Sequence, residues 1–345
     1  MVRRILLSSL ACVLTITAQP PKKLYTSVQV QLEGVTVSSA SIVFFDGPGA
    51  TQTYPAAINN SGTITGYYAD ANGGHGFLRG IGGGFVTFNA PGSENIFPSS
   101  INTSGAVAGN YSDTSQHGFL RTPKGGWVSF DVPGTFPSSS ENPIIVNDSG
   151  TVAGPYFDGT KFHGFLWAGG GTDTIDFPES TETYATGINN MGNVAGTYAD
   201  ASFNQHGFVL RNDGTWFSFD VPGGNFGFFT PTLSINNNDL VVGSYFQGST
   251  LGFLWPQGGS LITFSVPGAA GTQPSGTNSK GVVAGSYQDA SFTYHGFVRT
   301  PSGGIYTFSI PDAIGTFVVG INDKGMIAGY YTDTSNESHG FLLTL

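Results

Sequence analysis

What most constrains this chain is an internal repeat that leaves a remainder. An asparagine recurs at Asn59, Asn102, Asn147, Asn189, Asn236, Asn278 and Asn322, spaced 42 to 47 residues apart, usually after Ile and usually three residues before Gly. An A-G-x-Y segment follows, with its glycine at Gly66, Gly109, Gly154, Gly196, Gly243, Gly285 and Gly329. H-G-F comes next, with Phe77, Phe119, Phe165, Phe208, Phe253, Phe297 and Phe341. Both slots are filled in all seven units. Each unit divides into four short stretches of period-two alternation: one ending at Ile-Asn, one through V-A-G-x-Y, one through G-F-L, and one through W-V-S-F-D-V before Pro-Gly.

Four strands in roughly 40 to 45 residues is the size of a propeller blade. The remainder then decides how the blades are arranged. The chain ends at H-G-F-L-L-T-L, after the third strand of the last unit, while SIVFFD, Ser41 to Asp46, is an unmatched fourth strand ahead of the first unit. Joined, the two make one whole blade. A linear solenoid would need polar caps at both ends, whereas a ring removes two exposed edges. The expected fold is therefore all-β: a seven-bladed β-propeller of four-stranded blades over residues 41–345, closed by an N-terminal strand that completes the last blade.

Composition and turn chemistry agree. With 52 glycines, 28 phenylalanines and 10% charged residues, the chain is poor in helix formers and rich in turn and strand formers. Asn-x-x-Gly makes a hairpin in which Asn bonds its own backbone and Gly accepts positive φ. Asp239 fills that glycine slot in the fifth unit, where a side chain is less well tolerated. Residues 1–18 have a basic start (Arg3, Arg4), a short apolar stretch and Ala18, which together suit a cleaved signal peptide. Residues 19–40 read as a linker or an extra edge strand. Cys12, the single cysteine, lies in the leader, so the mature chain has no disulfide or thiolate metal site. These features describe an exported monomer, secreted, periplasmic or held at the cell surface, with no membrane span in the mature chain.

The histidines look like chemistry until they are counted. All six, His75, His117, His163, His206, His295 and His339, precede Gly-Phe. Each is preceded by an aspartate: Asp70, Asp113, Asp158, Asp200, Asp289 and Asp333 respectively. The unit without His also lacks the Asp, having Gln247 and Leu251 instead. Residues that come and go together across a short hairpin are expected to form a structural carboxylate–imidazole hydrogen bond. Equivalent positions on neighbouring blades lie about 10 Å apart, whereas a ligand nitrogen sits about 2 Å from zinc. The copies cannot converge on one metal, and neither metal nor cofactor is expected. No H-E-x-x-H, C-x-x-C, EF-hand loop or G-x-S-x-G elbow occurs. With 21 acidic against 8 basic residues after position 41, nucleic acid is excluded as a partner.

The I-N-x-x-G and H-G-F pattern, over about residues 42–345, resembles the bacterial extracellular HAF-repeat proteins, with His-Gly-Phe in place of His-Ala-Phe. The resemblance implies secretion and a repeat fold, and carries no catalytic residues.

Function then falls to the variable loops between blades. Most carry an aromatic residue: Tyr54, Phe97, Phe136, Tyr184, Phe226 or Phe317. The fifth unit departs furthest from the repeat and is preceded by the aromatic-rich GGNFGFFTP loop. Tyr184, Phe226, Phe228 and Phe229 are accordingly the candidate ligand-binding residues, suited to a glycan or peptide; the rival role for such rings is packing at blade junctions. The function that follows is an exported, non-enzymatic binding or scaffolding module. Its alternatives are an extracellular glycan-active hydrolase or lyase using Glu179 and Glu182, and a purely structural cell-envelope protein. The loop face is expected to be acidic, with Arg79, Arg121, Lys124, Arg211, Lys280, Arg299 and Lys324 assigned to the opposite face.

Overall fold

A computed structural model describes residues 12–14, 28–31, 41–93, 95–137, 143–226 and 233–344. Among these the chain is all strand and turn, with no helix. The first unit sets the pattern: Gln52–Ile58, Ile64–Asp70, Gly73–Arg79 and Phe85–Phe88 pair in that order as an antiparallel sheet. The second repeats it with Asn95–Ile101, Val107–Ser112, Gln116–Arg121 and Trp127–Phe130. Between the sheets beginning at Ser234–Ile235 and Gly271–Thr277 there is a single parallel strand pairing, Thr250 with Gly271. Ser41–Phe45 pairs antiparallel with Ser338–Thr344, from Ser41 opposite Thr344 to Phe45 opposite Gly340. In the segment read as a linker or edge strand, Val28–Gln31 pairs with the outer strand Ile305–Ser309.

The repeated residues show why these segments pack as they do. The H-G-F phenylalanines, Phe77 to Phe341, are fully buried at the centre of their sheets. The glycine before each one leaves room for a side chain from the fourth strand, a ring in every unit but the third, where Ile175 takes the place: a Cβ on Gly340 would overlap the ring of Phe45. In five units the A-G-x-Y glycine serves a bulge in the first strand. At Gly66 a Cβ would strike the Tyr54 carbonyl, beside the register shift between Pro55 and Ala57.

The seams between sheets follow a second rule. A fourth-strand phenylalanine receives a flat group from the third strand of the next unit. Trp167 stacks on Phe130 at 4.8 Å and Trp255 on Phe219 at 4.4 Å. Elsewhere the flat group is a guanidinium: Arg79 over Phe45 at 4.5 Å, Arg121 over Phe88 at 4.9 Å, and Arg299 over Phe264 at 5.1 Å. Arg79 and Arg299 are buried, and desolvation lowers their pKa. These arginines fill seams, which removes two charges from the basic face expected from sequence.

The repeated asparagine connects neighbouring units. Asn102 Oδ1 accepts the Ala106 N–H, closing its own hairpin, while its Nδ2 donates to the Asn147 carbonyl at 3.0 Å. The same donation runs from Asn59 to Asn102, Asn147 to Asn189, Asn189 to Asn236, Asn236 to Asn278, and Asn278 to Asn322. Asn322 Nδ2 then donates to the Asn59 carbonyl at 2.9 Å, so the series returns to its start. Asp239 does adopt positive φ, 57°, and its Oδ1 accepts from Asn189 and Asn193.

Candidate functional site

The first strands of all the units surround one central cavity of approximately 1210 Å3. Each of these strands runs from a loop between sheets toward its asparagine hairpin, so the cavity has a loop end and an asparagine end. At the asparagine end the carboxylates of Asp148 and Asp323 are taken up by cross-unit bonds. Asp148 accepts from the Thr103 N–H and Asn190 Nδ2. Asp323 accepts from the Ser279 N–H and Asn60 Nδ2. Among the described residues lining the cavity these are the only acids, and no His, Lys, Arg or Cys is present.

The loop end is aromatic. Tyr54, Phe97, Tyr184 and Phe317 each stand five residues before their asparagine, just ahead of the bulge, and of these Tyr54 and Phe97 line the cavity. In two units the cross-strand partner is also a tyrosine: Tyr54 stacks on Tyr67 at 5.0 Å, and Phe317 on Tyr330 at 4.8 Å. Edge contacts join the pairs across the seams, Tyr54 to Tyr330 at 5.3 Å and Tyr67 to Phe97 at 5.4 Å. Tyr294 extends the row, 4.8 Å from Phe317. Tyr54, Tyr67, Phe97 and Tyr330 line the cavity itself, with Asn95, Asn110 and Gln116 beside them.

Burial sets the character of these phenols. Tyr330 is pushed up to about 12, first by desolvation and then by Tyr54, Tyr67 and Tyr294. Tyr67 is raised for the same leading reason, with Tyr54 adding to it. Both remain neutral donors at any physiological pH. The Tyr54 hydroxyl donates to Gln52 Oε1 at 3.0 Å, and Gln52 in turn bonds the backbone of Asn336 and Ser338.

The structure separates the residues that the sequence had grouped as one site. Phe226 is 2% exposed and packs edge-on against Phe219 and Phe253, so it belongs to the core and does not line a mouth. Phe136 is buried in the same way against Phe130 and Phe165. In both units a single bridge, Thr135 with Phe157 or Asn225 with Phe246, draws the longer loop inward. Phe228 and Phe229 lie outside the described residues. Tyr184 is half-buried, bonded to Glu182 Oε2 at 3.1 Å and set against Phe162 at 4.7 Å, apart from the larger row. Burial and the neighbouring Glu182 raise its pKa. Glu179 is exposed at φ 62°, and neither it nor Glu182 lines the cavity. Distance to the asparagine separates the buried loop rings Phe226 and Phe136, ten or eleven residues ahead of it, from the first-strand rings at five, of which Tyr54 and Phe97 line the cavity.

The histidine clusters are ordered and lie away from the cavity. Nε2 meets the expected aspartate in His75, His117, His163, His206 and His295, at 3.1 to 3.5 Å. Sequence reasoning missed the other side of the ring. Nδ1 bonds a fourth-strand residue: Asn89, Asp131, Asp176, Asp220, Ser309 or, for His339, Asp46. Each ring also lies against the A-G-x-Y tyrosine, as His163 does on Tyr156 at 5.0 Å. The turn aspartates Asp70, Asp113, Asp158, Asp200 and Asp289 are held ionised chiefly by turn N–H and side-chain donors. Asp200 is pulled down to about 2, first by Asn204, and Asp113 is lowered first by the Ser115 N–H. The F-D pair in the fourth strand was the available clue.

Repeated four-stranded antiparallel sheets around a central cavity define a β-propeller. No protein-family model matches the chain, and no curated protein sequence does. Among solved structures it is similar to a catalytically inactive virginiamycin B lyase from Staphylococcus aureus crystallised with quinupristin. That match has 14% identity and a TM-score of 0.62, covering 89% of this chain and 100% of that one. It is also similar to the β-propeller domain of the Trilobed protease from Pyrococcus furiosus, a domain described as having an open velcro topology. There the identity is 10% and the TM-score 0.54, covering 85% and 94% of the two chains. At these identities the likeness establishes the fold alone.

Proposed function

We propose that this chain is a seven-bladed β-propeller closed by Ser41–Phe45, and that it is an exported, non-enzymatic binding module whose site is the aromatic loop end of the central cavity. Closure is supported by the Ser41–Phe45 pairing with Ser338–Thr344 and by the Asn322 to Asn59 hydrogen bond. Export is supported by the basic and apolar N-terminus and by the HAF-like repeat.

The observation that carries the binding role is the row Phe317, Tyr330, Tyr54, Tyr67, Phe97 beside Asn95, Asn110 and Gln116. Rings offer stacking surface, and neutral phenols and amides offer donors and acceptors without charge. A saccharide, which has apolar C–H faces edged by hydroxyls, presents the matching chemistry. Against catalysis stands the cavity wall, whose two acids among the described residues are already committed to hydrogen bonds at the far end.

The test is a glycan array on the full chain, followed by titration of the best saccharide with Tyr67→Ala and Tyr184→Ala variants of unchanged melting temperature. Losing one stacking ring is expected to weaken binding roughly 10-fold for Tyr67→Ala, about 1.4 kcal/mol. Tyr184→Ala should leave binding unchanged. Absence of any saccharide ligand, or loss with Tyr184→Ala alone, would overturn the assignment.

A further inference from the structure

One hairpin departs from the histidine pattern. In the last unit His339 Nδ1 is held by Asp46 Oδ1 at 2.8 Å, as elsewhere, but Nε2 stands 3.7 Å from Asp333 Oδ2, beyond hydrogen-bond distance. That nitrogen is buried and has no hydrogen-bond partner. A third donor stands nearby. Two residues before the histidine, where other units have Gly73, Ser115, Lys161, Asn204 and Thr293, this hairpin has Glu337. Donor atoms of Asp333, Glu337 and His339 all lie within 4.8 Å of one another.

We propose that Asp333, Glu337 and His339 form a binding site for one divalent transition-metal ion, with Zn2+ the ion their chemistry fits. An imidazole and two carboxylates are a borderline donor set, and water would complete four-coordination. The geometry differs from the other hairpins in the feature that matters. Where those histidines contact two carboxylates, the acids flank opposite ring nitrogens: Asp158 on Nε2 and Asp176 on Nδ1 of His163, for example. No single ion could reach both. Here Asp333 stands on the Nε2 side with a Glu337 carboxylate oxygen close by, while Asp46 takes Nδ1. A carboxylate on the far nitrogen fixes the tautomer and aims the Nε2 lone pair at the ion. Spacing between blades rules out a metal shared among units; it does not bear on donors within one hairpin.

Tetrahedral zinc brings its donors to about 3.3 Å from one another, so some closing up is required. Glu337 is exposed and free to swing inward, while Asp333, 2% exposed, is fixed by the Ser335 and Glu337 N–H groups. Because Asp46 follows the Ser41–Phe45 strand and His339 lies on its partner, ion binding would also brace the contact between the two ends of the chain.

The experiment is calorimetric titration of the chelator-treated full chain with ZnCl2, read together with melting temperature. One Zn2+ per chain and a raised melting temperature are expected. Glu337→Gln should weaken binding at least tenfold without altering the melting temperature of the metal-free protein. His117→Gln, in a different hairpin, should bind as wild type. Equal binding by wild type and Glu337→Gln, loss with His117→Gln, no stoichiometric uptake, or tighter binding of CaCl2 than of ZnCl2 would each overturn the site.

Discussion

Asn322 offers the sharpest probe of how the units are joined. Its side chain is 3% exposed and makes three hydrogen bonds: Oδ1 accepts the Lys324 and Met326 N–H groups, and Nδ2 donates to the Asn59 carbonyl at 2.9 Å. Asn322→Ala removes all three and leaves buried backbone groups unpaired, at a cost of about 2–4 kcal/mol. Asn322→Asp is nearly isosteric and separates the roles. It keeps both acceptor bonds but turns the donor into a carboxylate oxygen facing the Asn59 carbonyl.

Burial and that facing carbonyl disfavour the ionised form, whereas the two N–H donors can also serve the carbonyl oxygen of the neutral acid. The introduced group should therefore titrate above its unfolded value of about 3.9. Its protonated form can donate to Asn59 and restore the third bond. Stability contributed this way is fully present below the unfolded pKa and is lost as pH rises through the elevated folded pKa. Thermal and urea denaturation of wild type and Asn322→Asp at pH 4, 5, 6 and 7 should show a small difference at pH 4 that widens toward pH 7. Asn102→Asp, at an internal junction, should behave alike. A pH-independent difference, or a cost below about 1 kcal/mol for Asn322→Ala, would refute the reasoning.

Two further outcomes follow from local geometry. Phe203 and Phe292 are 71% and 70% exposed and both sit at φ 62°, where the equivalent hairpin of the last unit has Asn336 at 64°. Phe203→Asn should raise stability by about 1 kcal/mol in urea denaturation, because Asn tolerates the left-handed region; no gain would mean the ring makes a compensating contact. The pKa of His117 is raised first by its hydrogen bond to Asp131, then by Asp113, against desolvation. Wild type should exceed His117→Gln in melting temperature by most below about pH 6.5, with the margin shrinking as pH rises through the raised value; a constant margin from pH 5.5 to 8.5 would show that the charge contributes nothing.

What could be read in the sequence is what the repeat writes several times over. The Asn hairpins, the glycine slots and the stray Ser41–Asp46 strand were legible because sterics admit few residues at those places and the pattern recurs. Contacts made between units leave no such local mark. Arg79 and Arg299 read as surface charge, yet they occupy the seam position that Trp167 and Trp255 fill elsewhere, since a guanidinium and an indole are both flat enough to lie on a phenylalanine. Phe226 read as a candidate ligand-binding ring because it stands in a variable, glycine-rich loop; its burial against Phe219 and Phe253 places it in the core instead. The aromatic row was half visible. Tyr54, Phe97 and Phe317 were recognised as loop aromatics, but Tyr67 and Tyr330 belong to second strands and join them only through cross-strand and cross-seam packing.

Removal of the strand that pairs with Ser338–Thr344 tests the proposed ring closure most directly. Ser41–Phe45 buries Ile42 and Phe45, and Phe45 also carries the Arg79 seam. Burial of two such side chains contributes about 3–6 kcal/mol, so deleting residues 41–46 should lower the melting temperature by about 10 °C or more, or drive aggregation through the opened edges. A melting temperature unchanged by that deletion would contradict closure.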